Sequence, residues 1–207
     1  MSKNPENQEF GYKLLTPLMR VAFKLYYNPK IIGADKIPAD GSIVIAGNHK
    51  HVYDQCLTIM ATKRVIHYMA KKEYFEGKLA PFFKFVGCIP VDRSRRDFSS
   101  AMSAMRVLKS DGAIGIFPEG TRNKTDEFLL RFKTGAVSMA KKTDAYIVPF
   151  GLSGDYKFRS KNLTVRYGEP FKVGDMSVEE ANEKLYREVE HLMLENLSKE
   201  KENRKHA

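Results

Sequence analysis

A histidine and an aspartate five positions apart are the first residues whose types suggest catalysis. His49 and Asp54 lie in residues 47–54, after a short β-branched run and before a predicted helix. In one continuous α-helix, residues five apart diverge by about 140°. The two side chains can therefore meet only if His49 lies in the loop and Asp54 in the first helical turn. Asp54 would then bind one ring nitrogen of His49 and leave the other free as a general base.

Spacing alone leaves two other interpretations of these residues open. His49 could be a structural histidine and Asp54 a charge at a helix N-terminus, which is the commoner meaning of a single His-x4-Asp pair. The alternation of His49 and His51 is also typical of metal ligands, but His67 is the only further histidine nearby to complete a set. Because a zinc site needs three or four protein ligands, we expect no metal here.

A second group of polar residues follows another predicted strand. Pro118 ends the strand at residues 113–117 because proline cannot donate to the ladder. Gly120 allows a tight turn, and the planar guanidinium of Arg122 suits a phosphate. Glu119 would either orient Arg122 or accept a substrate hydroxyl. The alternative is an ordinary turn with a local Glu–Arg pair.

A third polar group lies in residues 87–93, where a predicted strand again ends in a turn. Arg93 holds the same kind of position there as Arg122 does in the second group. Sites of open α/β sheets form at the carboxyl ends of strands, so such arginines are candidates for binding an anion. The alternative for Arg93 is a solvent-exposed basic turn.

The elements that must position these residues alternate between strand and helix. Short β-branched runs and segments of helical periodicity follow one another, as in an α/β sheet flanked by helices. Ser177 and Glu180 form a capping box that predicts a C-terminal helix. The predicted strands are 42–46, 65–69, 88–91, 113–117, 145–150 and 163–167, and the predicted helices between them are 57–63, 79–86, 99–110 and 135–142.

Residues 10–27 form an aromatic-rich segment with basic residues between the apolar ones. Lys13, Arg20 and Lys24 interrupt it and Pro17 lies within it, so it is not a membrane-spanning helix. Apolar bulk with interspersed basic residues predicts an amphipathic helix in the membrane interface, with packing on the core as the alternative. We expect an N-terminal amphipathic membrane-associating helical segment at 1–30, an α/β domain with a C-terminal helix at 31–207, and no signal peptide.

The net charge of +10 indicates an anionic partner. From residue 177 onward there are six basic and eight acidic residues, so the preceding 176 residues carry +12. The 43% hydrophobic fraction excludes a disordered chain. Cys56 and Cys88 are the only cysteines, which fits free thiols in a reducing cytosol.

Together the motifs resemble the glycerophosphate acyltransferases of the lysophosphatidic acid acyltransferase (PlsC) type. The resemblance covers about residues 31–170, with the blocks in the family's order. Two positions depart from the family's usual residues, since His51 stands where serine is frequent and Gln55 where proline is frequent. The matching blocks are Asn48-His49 with Asp54, residues 87–93, residues 117–122 and residues 147–150, and residues 132–136 resemble a further family segment.

The resemblance implies a mixed sheet flanked by helices and a role for each motif residue. His49 would be the general base and Asp54 would orient it, while Pro149 would shape the acyl-donor side. No metal or other cofactor is implied beyond the acyl-CoA or acyl carrier protein thioester that serves as co-substrate. The residues implied in binding the phosphate-bearing acceptor are Arg93, Glu119, Gly120, Thr121, Arg122 and Lys133.

The implied reaction moves a fatty acyl group to the sn-2 hydroxyl of 1-acyl-sn-glycerol 3-phosphate and gives phosphatidic acid. The expected partners are a membrane surface with anionic lipid, the acyl thioester and a lyso-phospholipid, and not nucleic acid. The expected location is peripheral, at the cytoplasmic face of the membrane. The alternatives are another lyso-phospholipid acceptor, or a non-catalytic basic module that binds a membrane or nucleic acid.

Overall fold

A mixed β-sheet forms the centre of the molecule. The computed structural model describes residues 5–92 and 97–205, and within them seven strands lie in the order β1-β7-β6-β2-β5-β3-β4. All neighbouring strands are parallel except β6 and β7, which are antiparallel. This confirms the α/β class and the mixed sheet. The strands are β1 (Lys30–Ile32), β2 (Ile43–Gly47), β3 (Ile66–Lys71), β4 (Ile89–Val91), β5 (Ala113–Ile116), β6 (Tyr146–Ser153) and β7 (Thr164–Tyr167).

Helices cover both faces of this sheet. The six predicted strands and the four predicted helices between them are present, with their ends within three residues of the predicted ones, whereas the N-terminal helix begins five residues before the segment predicted at 10–27. Strand β1 was not predicted, because three residues are too few to show a period of two. The helices are α1 (Pro5–Tyr26), α2 (Asp54–Ala61), α3 (Ala80–Phe85), α4 (Phe98–Lys109), α5 (Gly135–Thr143) and α6 (Val178–Lys205).

Strand β2 lies at the middle of the core, with all five of its residues buried. Its side chains alternate between two apolar clusters. Val44 and Ala46 pack on the face that α4, α5 and α6 cover, whereas Ile43 and Ile45 pack on the face of α2, with Leu57. A strand buried on both faces reads as a continuous apolar run, which is why this one was evident from sequence. The carboxyl end of β2 therefore emerges from the buried centre of the fold.

The C-terminal helix α6 begins at the predicted capping box. The backbone N–H of Glu180 donates to Oγ of Ser177 at 3.1 Å, and the backbone N–H of Ser177 donates to Oε2 of Glu180 at 2.7 Å. From this start the helix buries an apolar stripe that includes Leu185 and Val189. Helix α6 thereby packs along β6 and closes one face of the core.

Helix α1 packs on the opposite side of the molecule, against α2 and α3. Tyr12 is buried in this contact. Arg20, expected from the sequence at a bilayer surface, instead donates to the backbone carbonyls of Ile59 and Thr62 at the C-terminal end of α2. The guanidinium thus satisfies carbonyl groups that a helix end leaves unpaired.

The other side of α1 carries large apolar side chains that no described residue covers. None of the helices in the described ranges is both long and apolar enough to cross a membrane. Three apolar residues of the neighbouring α3 region continue this exposed surface, which we call the apolar face. Its members are Phe10, Leu14, Leu18, Val21 and Leu25 of α1 with Leu79, Phe82 and Phe85.

Candidate active site

The candidate site lies where β2 ends and α2 begins. Asn48 is buried directly after β2, and its side-chain amide donates to the backbone carbonyl of Leu152 at 3.1 Å and accepts from the Leu152 N–H at 2.7 Å. This pair of hydrogen bonds fixes the chain to β6 as it leaves the sheet. His49 follows in the loop, and Asp54 is the first residue of α2, as the spacing of the two residues required.

Asp54 is fully buried, and its carboxylate binds donors on both oxygens. Oδ2 lies 2.8 Å from Nδ1 of His49 and accepts from the backbone N–H groups of Lys50 at 2.7 Å and His51 at 2.8 Å. Oδ1 accepts from the hydroxyl of Tyr156 at 2.6 Å. A carboxylate held by this many donors has one orientation, and it selects the His49 tautomer with the proton on Nδ1. Nε2 is then the ring nitrogen that can accept a proton.

The turn after β5 holds His49 from the other side. The ring of Phe117 stacks on the imidazole with a centroid distance of 4.0 Å and an angle of 13°. The backbone N–H of His49 donates to Oε1 of Glu119 at 2.5 Å, and the backbone N–H of Asn123 donates to the His49 carbonyl at 2.7 Å. The first and second sequence motifs thus form one structural unit.

Glu119 is buried, and both of its carboxylate oxygens bind backbone N–H groups. Oε1 accepts from His49, and Oε2 accepts from Leu130 at 3.1 Å. Burial raises the pKa of Glu119, against the lowering effect of these two hydrogen bonds. Among the described residues, its carboxylate therefore binds the backbone of the site and not Arg122, which gives Glu119 the role of fixing the loop that carries His49.

Gly120 and Lys133 meet at this same turn. Gly120 has φ +71°, a conformation that favours glycine, and its N–H donates to the carbonyl of Phe117 at 2.9 Å. A Cβ at Gly120 would lie 2.8 Å from Nζ of Lys133, so the ammonium group lies directly over the glycine. Only glycine leaves room for a cation in this position.

Arg122 and Thr121 are exposed beside the site. Within the described part of the chain, no hydrogen bond or ion pair engages the Arg122 guanidinium. The pKa of His51 is lowered, first by burial and then by the positive charge of Arg122, against the raising effect of Asp54. Arg122 is therefore close enough to the loop that carries His49 to affect the charge of His51. The N–H donors of Arg122 itself face solvent.

Two clefts adjoin these residues. The larger, of about 440 Å³, lies between α4, α5 and the ends of β3, β4 and β5, and Phe117, Gly120 and Lys133 contribute to its wall. The second, of about 350 Å³, is more polar and includes His49 in its lining. The apolar wall of the larger cleft includes Met69, Val91, Met105, Ile116 and Met139, with the cationic Lys142 also lining it.

Two residues implied by the family resemblance are not among the site residues described above. Arg93 lies outside the described residues. Pro149 lies within β6, opposite Ala46, and it lines neither of the two clefts. Its expected role on the acyl-donor side stays a prediction.

Sequence reasoning missed Tyr156, which is 102 residues from the aspartate that it contacts. No local spacing could have identified it, because the contact depends on how the segment after β6 folds back over the start of α2. Within residues 5–92 and 97–205, no group of three or more histidine, cysteine, aspartate or glutamate side chains is placed to hold a metal ion.

Glu119→Gln should weaken the turn that holds His49. A glutamine side chain has one acceptor oxygen, so either His49 or Leu130 loses the partner of its N–H group. We expect a loss of about 1–3 kcal/mol in the free energy of unfolding, measured by urea denaturation. The matched control is Glu127→Gln at an exposed position, which should change stability by less than about 0.5 kcal/mol. Equal stability of the two variants would contradict the role given to Glu119.

Comparison with known proteins places this geometry in a family. The family model for acyltransferases matches residues 28–153. The 1-acyl-sn-glycerol-3-phosphate acyltransferase of Bacillus subtilis is 33% identical over 187 residues, which are 87% of this chain and 92% of that protein. The enzyme of the same name from Borreliella burgdorferi is 31% identical over 144 residues, covering 67% of this chain and 56% of that protein.

A solved structure shares the fold. The crystal structure of the 1-acyl-sn-glycerophosphate acyltransferase PlsC from Thermotoga maritima matches with a TM-score of 0.76 and 22% sequence identity, and the match covers 94% of this chain and 83% of that one. At this identity the structural likeness supports the fold, while the family model and the Bacillus relative support membership. The chain therefore belongs to the acyltransferase enzymes of the lysophosphatidic acid acyltransferase (PlsC) type.

Proposed function

We propose that the protein transfers a fatty acyl group from a coenzyme A or acyl carrier protein thioester to the sn-2 hydroxyl of 1-acyl-sn-glycerol 3-phosphate, forming phosphatidic acid. The observation that carries this proposal is the contact between His49 Nδ1 and Asp54 Oδ2 at 2.8 Å, which leaves Nε2 to act as a base. The names of the relatives supply the acceptor class.

The transfer proceeds in one direct displacement. Nε2 of His49 accepts the proton of the acceptor hydroxyl as its oxygen attacks the thioester carbonyl and the C–O bond forms. The C–S bond then breaks, and the proton passes from His49 to the departing thiolate. The two cysteines of the chain do not suit an acyl-enzyme route, since burial raises the pKa of both Cys56 and Cys88 to about 12 and keeps them as thiols.

The acceptor phosphate would bind at the turn after β5. Lys133 places its ammonium over Gly120, and no described residue forms a hydrogen bond or ion pair with the Arg122 guanidinium. Thr121, which precedes Arg122 in the chain, and Arg93 are the further candidates. The adjoining cleft combines an apolar wall with Lys133 and Lys142, and also includes Asp92 and Asp97. Asp97 accepts hydrogen bonds from Ser99 and Ser100 at the start of α4, so the two lysines are left to meet an anionic head while the apolar wall suits a hydrocarbon chain.

The enzyme would meet its lipid substrate at a membrane surface. The apolar face offers side chains for shallow insertion, and Leu18 is its most exposed member, at 72%. The charge of +12 on the first 176 residues would attract anionic headgroups. Since coenzyme A and acyl carrier protein thioesters occur in the cytoplasm, the location that follows is the cytoplasmic face of the membrane.

The direct test is an acyl-transfer assay with the purified chain, a labelled acyl thioester and a panel of lyso-phospholipids. We expect phosphatidic acid from 1-acyl-sn-glycerol 3-phosphate to be the dominant product. A dominant product from a different lyso-phospholipid would contradict the acceptor, and no transfer to any acceptor would contradict the activity. Parallel assays with each thioester identify the donor.

His49→Ala should abolish acyl transfer. Removal of the base is expected to lower kcat by about 10²–10⁴-fold, measured with saturating acceptor. Binding to anionic vesicles should survive, because His49 lies outside the apolar face. The control His191→Ala removes an exposed histidine of α6 and should retain full turnover. Near-normal turnover by the His49 variant would overturn its assignment as the base.

Arg122→Ala should weaken binding of the phosphate-bearing acceptor. Loss of a charge-assisted contact is expected to raise the KM for the acceptor by about tenfold or more, with a smaller effect on the KM for the acyl donor. Arg187→Ala, which removes an exposed arginine of α6, is the matched control. An unchanged acceptor KM in the Arg122 variant would remove this residue from the phosphate site.

Leu18→Asp should weaken membrane binding without unfolding the protein. Leu194→Asp is the matched control, because Leu194 is also exposed (52%) but lies on α6, on the opposite side of the sheet. In co-sedimentation with vesicles of phosphatidylglycerol, we expect about a tenfold loss of affinity for the Leu18 variant and little change for the control. Equal binding by both variants would contradict the role of the apolar face.

A further inference from the structure

Tyr156 reaches the candidate base pair from a part of the chain that no catalytic motif includes. It lies between β6 and β7, and its hydroxyl donates to Oδ1 of Asp54 at 2.6 Å. Oδ2 of the same carboxylate receives Nδ1 of His49 and the two backbone N–H groups of the loop. Among the described residues, Tyr156 is the sole hydrogen-bond donor to Oδ1.

We propose that Tyr156 is a positioning residue for acyl transfer, whose hydroxyl fixes the Asp54 carboxylate so that His49 keeps its base nitrogen neutral and correctly placed. This inference rests on the proposed function. It extends the His49–Asp54 pair to a chain of three residues, in which Tyr156 acts on His49 through Asp54.

Two physical effects support this role. Without the hydroxyl, Oδ1 would be a buried carboxylate oxygen with no partner, and the carboxylate could turn away from His49. The hydrogen bond also takes up part of the carboxylate charge, which would otherwise stabilise the protonated imidazole. Tyr156 therefore favours the neutral, proton-accepting form of His49.

The surrounding side chains hold the Tyr156 ring in place. It stacks on His51 with a centroid distance of 4.2 Å and an angle of 20°, and the ring of Tyr27 meets its edge at 5.7 Å. The same loop is joined to the end of α1, where the backbone N–H of Arg159 donates to the carbonyl of Tyr26 at 2.6 Å. The position of the hydroxyl is thus set by α1 as well as by the sheet.

Tyr156 is suited to act as a permanent donor. Burial raises its pKa far above the usual value, and the charge of Asp54 adds to this effect, so the hydroxyl stays protonated throughout an assay range. The other charged or titratable groups that face the pair are Glu119 from the turn after β5, Lys50 and His51 from the loop, Arg122, Cys56 from α2, Tyr27 from the end of α1 and Tyr53 from the loop. A substitution confined to the Tyr156 hydroxyl leaves all of them in place.

Tyr156→Phe tests the proposal because it removes the hydroxyl and keeps the ring. We expect kcat to fall by about tenfold while the KM for the acceptor changes by less than about twofold. The acidic limb of the pH profile of kcat/KM should move to higher pH, since His49 then becomes protonated more easily. The midpoint of an NMR titration of the His49 ring should also move to higher pH. The ring signals are assigned by comparison with His49→Ala.

Tyr167→Phe is the matched control. Tyr167 is buried in the core, and its hydroxyl has no hydrogen-bond partner among the described residues. Its variant should keep the pH profile of the wild type.

Site-specific incorporation of 3-fluorotyrosine at position 156 provides the change opposite to Tyr156→Phe. Because the more acidic phenol is a stronger donor, it should move the acidic limb of the kcat/KM profile to lower pH.

The outcomes separate this proposal from the proposed function. A wild-type protein that transfers no acyl group to any acceptor contradicts the function, and the NMR titration of His49 then still tests the role of Tyr156. An unchanged acidic limb and an unchanged His49 titration in folded Tyr156→Phe protein overturn the proposal. If circular dichroism shows that this variant does not fold, the fluorotyrosine protein decides, and an unshifted titration there overturns it equally.

Discussion

The buried carboxylate of Asp54 is the interaction on which the site depends. It accepts from two backbone N–H groups of the loop between β2 and α2, from His49 and from Tyr156. Because the Asp54 side chain is 0% exposed, its charge is tolerated only when hydrogen bonds satisfy it. The same contacts that satisfy the charge therefore define the loop before α2 and select the tautomer of the base.

The sheet supplies the rigid frame for this carboxylate. Strand β2 is buried on both faces, and Asn48 joins its end to β6 while Glu119 joins the following loop to the turn after β5. The base is thus held by its own motif and by Glu119 of a second motif, which lies 70 residues away in sequence. Cationic side chains stand on one side of it and an apolar cleft opens beside them, which is the arrangement an amphiphilic anion requires.

Helix α1 connects the apolar face with the site. Arg20 binds the C-terminal carbonyls of α2, the helix whose first residue is Asp54, and Tyr27 contacts the ring of Tyr156. The outer side of the same helix carries the exposed apolar residues. Helix α1 and the residue that follows it therefore contribute both to the surface proposed to meet the membrane and to the packing around the base.

The sequence by itself determined the α/β class, nearly all strands and helices, and the pairing of His49 with Asp54, because each depends on local periodicity or on spacing across one turn. It left the role of Glu119 ambiguous and predicted that Arg20 meets a bilayer surface instead of the end of α2. It gave no sign that Tyr156 contacts Asp54. Those assignments needed the tertiary structure, since the partners of Glu119, Arg20 and Tyr156 lie between 11 and 102 residues away. Residue types and spacing can specify which groups are able to react, but only the packing of distant segments decides which groups hold them in place.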